Sequence, residues 1–274
     1  MIRRLAIWSI FLGALAFSLR PIERMMLYPL DPTEVDPKQF DVPGLAAHDL
    51  TAAGGTRLVV WAADPAPGRP VIVYFHGNAA NLANRINVFR YFIDNGFGLA
   101  ALGYRGSSGS GGRPRQDMIE ADAMTFYRAL PELVDMSNDN PIVLYGESMG
   151  TGVSVQLANA LRDTGLKQPD AMVLEAPYTS IPDVTASLYP WLSPLTPVMV
   201  NQWQTLETIP QIDVPLLVVH GTDDTLIPIE MGRAVYAAAG TDEKQLIEVP
   251  DAGHNETLNR ETARQLLDYL NQVR

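Results

Sequence analysis

The chain has 274 residues, 47% of them hydrophobic and 19% charged, which suits a globular protein with a large core in a single α/β domain. Its formal net charge is -11, so the surface repels phosphate backbones and nucleic acid is not an expected partner. There is no cysteine, which excludes disulfides, thiolate nucleophiles and sulfur-ligated zinc.

The N-terminus opens with Arg3 and Arg4, followed by the uncharged apolar run 5-LAIWSIFLGALAFSL-19, closed by Arg20. This run is shorter than the about 20 residues of a full bilayer crossing and matches the about 7 to 15 of a signal-peptide core. Ala14-Leu15-Ala16 offers a small-residue cleavage site. Trp8 and Phe11 are bulky, however, and Met25, Met26, Leu27 and Tyr28 extend the apolar contact, so an uncleaved membrane anchor is favoured over a cleaved signal. Residues 1–24 are therefore expected to act as the membrane segment, with the arginine pair cytoplasmic and the remainder exported to a periplasmic or lumenal space.

Beyond residue 40, short apolar or β-branched runs alternate with segments of helical period, the pattern of a mostly parallel sheet covered by helices. The predicted strands are 56-TRLVVWA-62, 71-VIVYF-75, 97-FGLAAL-102, 142-IVLY-145, 171-AMVLE-175, 216-LLVVH-220 and 245-QLIEV-249. The first alternates, as an edge strand does; the middle ones are continuously apolar, as strands buried on both faces are. Leu82, Ile86, Phe89 and Ile93 recur at helical spacing between an Asn81 cap and an Asn95-Gly96 stop. Further helices are expected near 115–136, 149–162, 229–239 and 256–272, the last with Leu258, Leu266 and Leu270 on one side.

Residues 184–206 break this alternation. They carry no charge, hold Tyr189, Trp191 and Trp203, and contain Pro190, Pro194 and Pro197, which forbid one long helix. An apolar cap inserted between two strands, able to hold the hydrophobic part of a substrate, accounts for the composition.

The pentapeptide Gly146-Glu147-Ser148-Met149-Gly150 ends an apolar strand and opens a helix-compatible segment. A G-x-S-x-G pattern arises by chance in about one chain in ten of this length. Its strand-turn-helix context adds weight, because such a turn strains the serine and needs glycine where neighbouring chains come close. A serine hydroxyl requires a base, and the base an orienting carboxylate, in the chain order Ser, acid, His. The stretch 220-HGTDDTLIP-228 supplies the acid as Asp223 or Asp224. His254 is the only histidine beyond it. His220 ends a buried strand ahead of the acid and is expected to be structural, as is His76; His48 has no motif around it. The oxyanion donors expected are the N–H of Met149 and one from the loop after the 71–75 strand, at Asn78 or Ala79.

Taken with His76-Gly77-Asn78, 103-GYRGSSGS-110, 177-PYTS-180, 220-HGTDDTLIP-228 and 253-GHNE-256, the chain resembles the α/β-hydrolase superfamily. Within it, the likeness is to the N-terminally anchored hydrolase domain-containing proteins and the serine aminopeptidase-like branch. The resemblance runs from about residue 25 to the C-terminus. It implies a mostly parallel eight-stranded sheet with helices on both faces and a small cap insertion at about 178–210. It also implies Asp224 rather than Asp223 as the acid, Tyr178, Trp191 and Trp203 as substrate-binding residues, and a flexible active-site loop at 103–112. No phosphate-cradling glycine motif or metal-ligand spacing is present, so no metal or cofactor is expected. The expected partner is a small-molecule acyl substrate. Cleavage of an ester or thioester leads, with a serine aminopeptidase-like peptidase and a non-catalytic tethered binding protein as the alternatives; the oligomeric state stays open.

Overall fold

The computed structural model describes residues 20–273 apart from Asn138, so the apolar run 5–19 and its candidate cleavage site lie outside the described residues. Among the described residues, no helix is long and apolar enough to cross a membrane.

Eight strands form one sheet in the order β1-β2-β4-β3-β5-β6-β7-β8. They are β1 (Ala46–Ala52), β2 (Thr56–Ala63), β3 (Val71–Phe75), β4 (Gly98–Leu102), β5 (Ile142–Glu147), β6 (Ala171–Glu175), β7 (Leu216–Gly221) and β8 (Lys244–Val249). β2 pairs antiparallel with both β1 and β4, and every other pairing is parallel, so β2 alone runs against the rest. β1 is the strand absent from the periodicity reading: Ala-Ala-His-Asp-Leu-Thr-Ala is half polar and sits at the edge with one side in water. It joins β2 through Gly54 and Gly55, whose φ angles of +77° and +74° let the chain turn back within three residues.

Helices cover both faces. α1 spans residues 20–27. It is followed by α2 (Ile86–Asp94), α3 (Gln116–Arg128), α4 (Leu130–Leu133), α5 (Met149–Leu161), α6 (Ile181–Leu188), α7 (Thr205–Thr208), α8 (Ile229–Ala238) and α9 (Arg260–Leu270). Because strand side chains alternate, Val71, Val73 and Phe75 pack with Phe126 of α3, Val153 of α5 and Val235 of α8 on one face. Ile72 and Tyr74 pack with Phe89 and Phe92 of α2 and Leu266 of α9 on the other. The single helix expected over 115–136 is interrupted before α4, where Pro131 sits in the first turn. α9 begins at Arg260, capped by the Asn259 side chain, so Leu258 precedes it rather than sharing its apolar stripe.

The cap lies between β6 and β7. It is α6 followed by a 3-10 stretch, Pro190–Val198, in which Pro194 and Pro197 remove N–H donors and prevent α-helical continuation.

The loop after β4, expected over 103–112, is largely buried over residues 103–110 and exposed at Gly111 and Gly112. Ser110 Oγ donates to the Gly103 carbonyl at 2.7 Å and accepts from the Val59 N–H at 2.8 Å. Arg105 reaches Asp122 of α3 through two bonds of 2.5 and 2.7 Å, both side chains almost wholly buried. The serines and glycines of this stretch are the small residues a tightly folded turn needs. Replacing Asp122 with alanine strands the Arg105 guanidinium without a counter-charge. It is expected to lower the unfolding free energy in urea by about 3–5 kcal/mol; a loss no larger than that of an exposed pair, about 1 kcal/mol or less, would contradict this role for the pair.

Candidate active site

β5 ends at Glu147, and the chain enters α5 through Ser148 at φ 51° and ψ -117°, a conformation that costs a non-glycine residue free energy and persists only where packing enforces it. The packing is severe. A Cβ on Gly150 would lie 1.9 Å from the Phe75 carbonyl oxygen, and one on Gly146 would lie 2.5 Å from the Gly150 carbonyl oxygen. Without side chains at those two positions, α5 rests directly on the carboxyl end of β3. The Ser148 N–H donates to the Glu175 carbonyl at 2.8 Å, which fixes the turn to β6 as well.

The structure brings Ser148, Asp224 and His254 together from three separate loops. His254 Nε2 lies 3.0 Å from Ser148 Oγ, and His254 Nδ1 lies 2.7 Å from Asp224 Oδ2. An ionised carboxylate only accepts, so Nδ1 carries the proton and Nε2 is free to accept from the serine hydroxyl. The other Asp224 oxygen accepts from the Leu226 and Ile227 N–H groups at 2.9 and 2.8 Å. Burial opposes its ionisation, but donors from His220, His254 and the Ile227 backbone outweigh it and hold the carboxyl well below the usual carboxylate range. Asp223 is exposed, and its carboxylate meets the Thr222 hydroxyl instead.

His220 is fully buried beneath this acid, its Nε2 at 2.8 Å from the Ile227 carbonyl and 3.4 Å from Asp224 Oδ2. It braces the turn that carries the acid. The four-residue step from His220 to Asp224 was the signal available for that role. Gly232 of α8 makes room for the ring, since a Cβ there would fall 2.2 Å from its Nδ1.

An apolar cavity of about 280 Å³ opens above Ser148, and Asn78 and Met149 are among its lining residues. Met149 is the first residue of α5, so its N–H belongs to the helix-terminal donors that have no intrahelical acceptor. Ala79 is exposed and is not part of the cavity lining. The Asn78 side chain donates to the Leu27 carbonyl at 2.9 Å, tying this loop to α1. Behind the loop, the Tyr104 hydroxyl donates to the His76 carbonyl at 2.9 Å, and Ser108 Oγ accepts from the Leu82 N–H at 3.0 Å. The braced 103–110 loop thus supports the donor loop.

Of the three residues expected to bind substrate, Tyr178 lines the cavity and donates to the Met149 carbonyl at 3.3 Å. The two tryptophans do not. Trp203 is fully buried, its Nε1 donating to the Tyr28 hydroxyl at 3.1 Å, because the chain re-enters the core as it leaves the cap. Trp191 is 75% exposed on the outside of the 3-10 stretch. The walls come from cap residues such as Leu188, Leu192 and Val198, and from Ile22 and Met26 of α1, whose part was hidden because α1 adjoins the predicted anchor.

Carboxylates near the site are engaged. Glu147 takes Arg85 at 2.8 Å and the Tyr74 hydroxyl at 2.7 Å; its burial is outweighed by those donors, which hold its carboxyl low. Glu175 accepts from Tyr145 at 2.6 Å and from Thr257, yet burial and then the charge on Glu147 push its carboxyl up. Asp183 accepts from the Thr179 hydroxyl at 2.6 Å. Among the described residues, no group of three or more acidic or histidine side chains is placed to hold a metal ion.

A family model described as "Serine aminopeptidase, S33" matches residues 66–209 and 198–261. An uncharacterised protein of Mycobacterium tuberculosis is 33% identical over 190 residues, taking in 68% of this chain and 63% of that protein. The lysophosphatidylserine lipase ABHD12 of Danio rerio is 30% identical over 184 residues, 62% of this chain and 47% of the lipase. The chain therefore spans less than two thirds of these relatives' lengths, 63% of the first and 47% of the second. An esterase of Pyrococcus furiosus superposes with a TM-score of 0.71 at 19% identity, covering 90% of this chain and 99% of the esterase, a likeness of fold.

His76 yields a test of the buried architecture around the donor loop. Its imidazole is wholly buried 4.2 Å from the Tyr104 ring, with Nδ1 on the Gly77 carbonyl at 2.7 Å. Burial, then the Arg85 charge, lowers its pKa from 6.5 to about 3. The unfolded chain therefore takes up a proton before the folded one does, and stability falls as pH drops from about 6.5 toward about 3. In His76→Gln, the decline in urea unfolding free energy between pH 6 and pH 4 should be shallower by about 1.4 kcal/mol per pH unit. Parallel slopes in the two proteins would contradict a neutral, buried His76.

Proposed function

Because the chain belongs to the serine aminopeptidase S33 family of α/β hydrolases, we propose that it hydrolyses a carboxylic ester or thioester of an apolar acyl group through Ser148, His254 and Asp224. The observation that carries this reading is the 3.0 Å approach of His254 Nε2 to a strained, cavity-facing Ser148 hydroxyl.

Ser148 Oγ attacks the acyl carbonyl while His254 Nε2 removes its proton. Asp224 keeps the imidazole in the accepting tautomer and stabilises the imidazolium that forms. The N–H groups of Asn78 and Met149 receive the oxyanion, each such donor contributing about 3 kcal/mol to the transition state. On collapse the leaving group departs with the proton from His254. Water, deprotonated by the same ring, then cleaves the acyl-enzyme and regenerates Ser148.

The cavity's apolar walls support an acyl chain as the bound group. The ABHD12 relatives, named as lysophosphatidylserine lipases, support single-chain phospholipid esters as the class to try first. An aminopeptidase reading draws on the family's description, but it needs a carboxylate free to bind the substrate amine. Glu147, Glu175 and Asp183 are all engaged, and Glu23, which does line the cavity, accepts from the Val200 and Asn201 N–H groups. We extend the reading to the whole chain as a hydrolase domain over residues 25–274, with its cap at about 178–210. Residues 1–24, through the run 5–19 flanked by Arg3, Arg4 and Arg20, would hold it at a membrane on the exported side.

Ser148→Ala is expected to abolish hydrolysis of p-nitrophenyl butyrate while the protein stays folded. For the wild type, kcat/KM should rise about fourfold per added acyl methylene, at about 0.8 kcal/mol of burial each, until the cavity is full. Most of the activity surviving in Ser148→Ala would remove this serine from the reaction, and a flat chain-length series would remove the cavity from acyl binding.

A further inference from the structure

α1 is a wall between two cavities of opposite character. Ile22 and Met26 face the apolar cavity above Ser148. Arg20 and Arg24, again four residues apart, line a second cavity of about 350 Å³ on another side of the same helix. There they meet Arg105, Arg113 and Arg115, so five guanidinium groups border one cavity in a chain whose net charge is -11.

Not all of that charge is spent within the protein. Arg105 is neutralised by Asp122, and Arg115 by Asp117. Glu120 and Glu23 keep their charge but bond neutral donors rather than these arginines. Glu120 accepts from the Gln116 side chain at 2.8 Å. Glu23 accepts from the Asn201 N–H and side-chain amide, both at 2.7 Å. Among the described residues, neither the half-buried Arg24 nor the exposed Arg113 has a carboxylate partner. Like charges held around a concave surface repel one another, and an acidic protein has carboxylates in plenty with which to pair them. The guanidinium fork, fixed in geometry and always charged, matches a tetrahedral oxyanion that can accept from several donors at once.

We propose that this cavity is a phosphate-binding site, with Arg24 and Arg113 as its principal ligands. Phosphate could be presented there by a lipid headgroup or by a soluble phosphate ester. The site lies across α1 from the apolar cavity, and the Glu23–Asn201 bonds pin the helix to the chain leaving the cap, so one element borders both. The proposal does not depend on what Ser148 hydrolyses.

The full chain is to be titrated with sn-glycerol 3-phosphate at low salt by calorimetry, and floated with vesicles of phosphatidylcholine, with and without phosphatidylglycerol. The wild type is expected to bind the soluble ester, or to bind phosphatidylglycerol vesicles beyond phosphatidylcholine alone; the first result identifies a soluble ligand and the second a lipid headgroup. The double variant Arg24→Gln/Arg113→Gln should weaken that binding about tenfold or more. Arg24→Lys/Arg113→Lys, which keeps charge without the fork, should fall between the two. Hydrolysis of p-nitrophenyl butyrate by the glutamine variant should stay at the wild-type rate, separating this site from the serine chemistry. The proposal is overturned if the wild type responds to neither probe, or if the glutamine variant binds as tightly as the wild type.

Discussion

The carboxyl end of β3 and the first turn of α5 are in direct backbone contact, and the geometry of the site descends from that contact. No side chain fits between Gly150 and the Phe75 carbonyl, nor between Gly146 and the Gly150 carbonyl. Closing that distance forces the intervening residue into a positive-φ conformation and turns the Ser148 hydroxyl out of the sheet. It also carries the α5 N-terminus up to the His76–Asn78 loop, so that two donor-bearing segments border one cavity. Two glycines therefore set the elevation of the serine, the position of the helix end and the room between them.

The polar groups around that turn are held by neighbours rather than by solvent. Asp224 is immobilised by two backbone N–H groups and two imidazoles, which leaves His254 one direction in which to accept a proton. The loop carrying Asn78 rests on Tyr104 and Ser108, and these rest on the buried Arg105–Asp122 pair. A site whose supports are themselves hydrogen-bonded and buried needs little rearrangement when charge develops. The cap and α1 are less enclosed: Met25, Trp191 and Val198 are exposed there, and the apolar and arginine-lined cavities both border α1.

The interior strands were readable because strands buried on both faces leave unbroken apolar runs, and the three loop residues because G-x-S-x-G, the H-G-x-D-D turn and one late histidine each sit at a strand end. β1 escaped since an edge strand with a wet face has no such run. Trp191 and Trp203 could not be told apart, because only the path of the 3-10 stretch decides which ring faces solvent and which returns to the core. The close packing of the 103–110 loop was hidden for a related reason. Glycine and serine mark a mobile segment and a closely packed turn alike, and the buried partners that distinguish them come from distant parts of the chain.

The central claim is that Ser148 is an activated nucleophile opening on an acyl-binding cavity. A fluorophosphonate reagent reacts with such a serine and spares ordinary hydroxyls, so intact-mass and peptide mass spectrometry of the treated, folded protein tests the claim most directly. The account predicts one adduct, on the peptide containing Ser148, and none when His254 is replaced by alanine. A folded protein that stays unmodified, or an adduct on another residue, would contradict it.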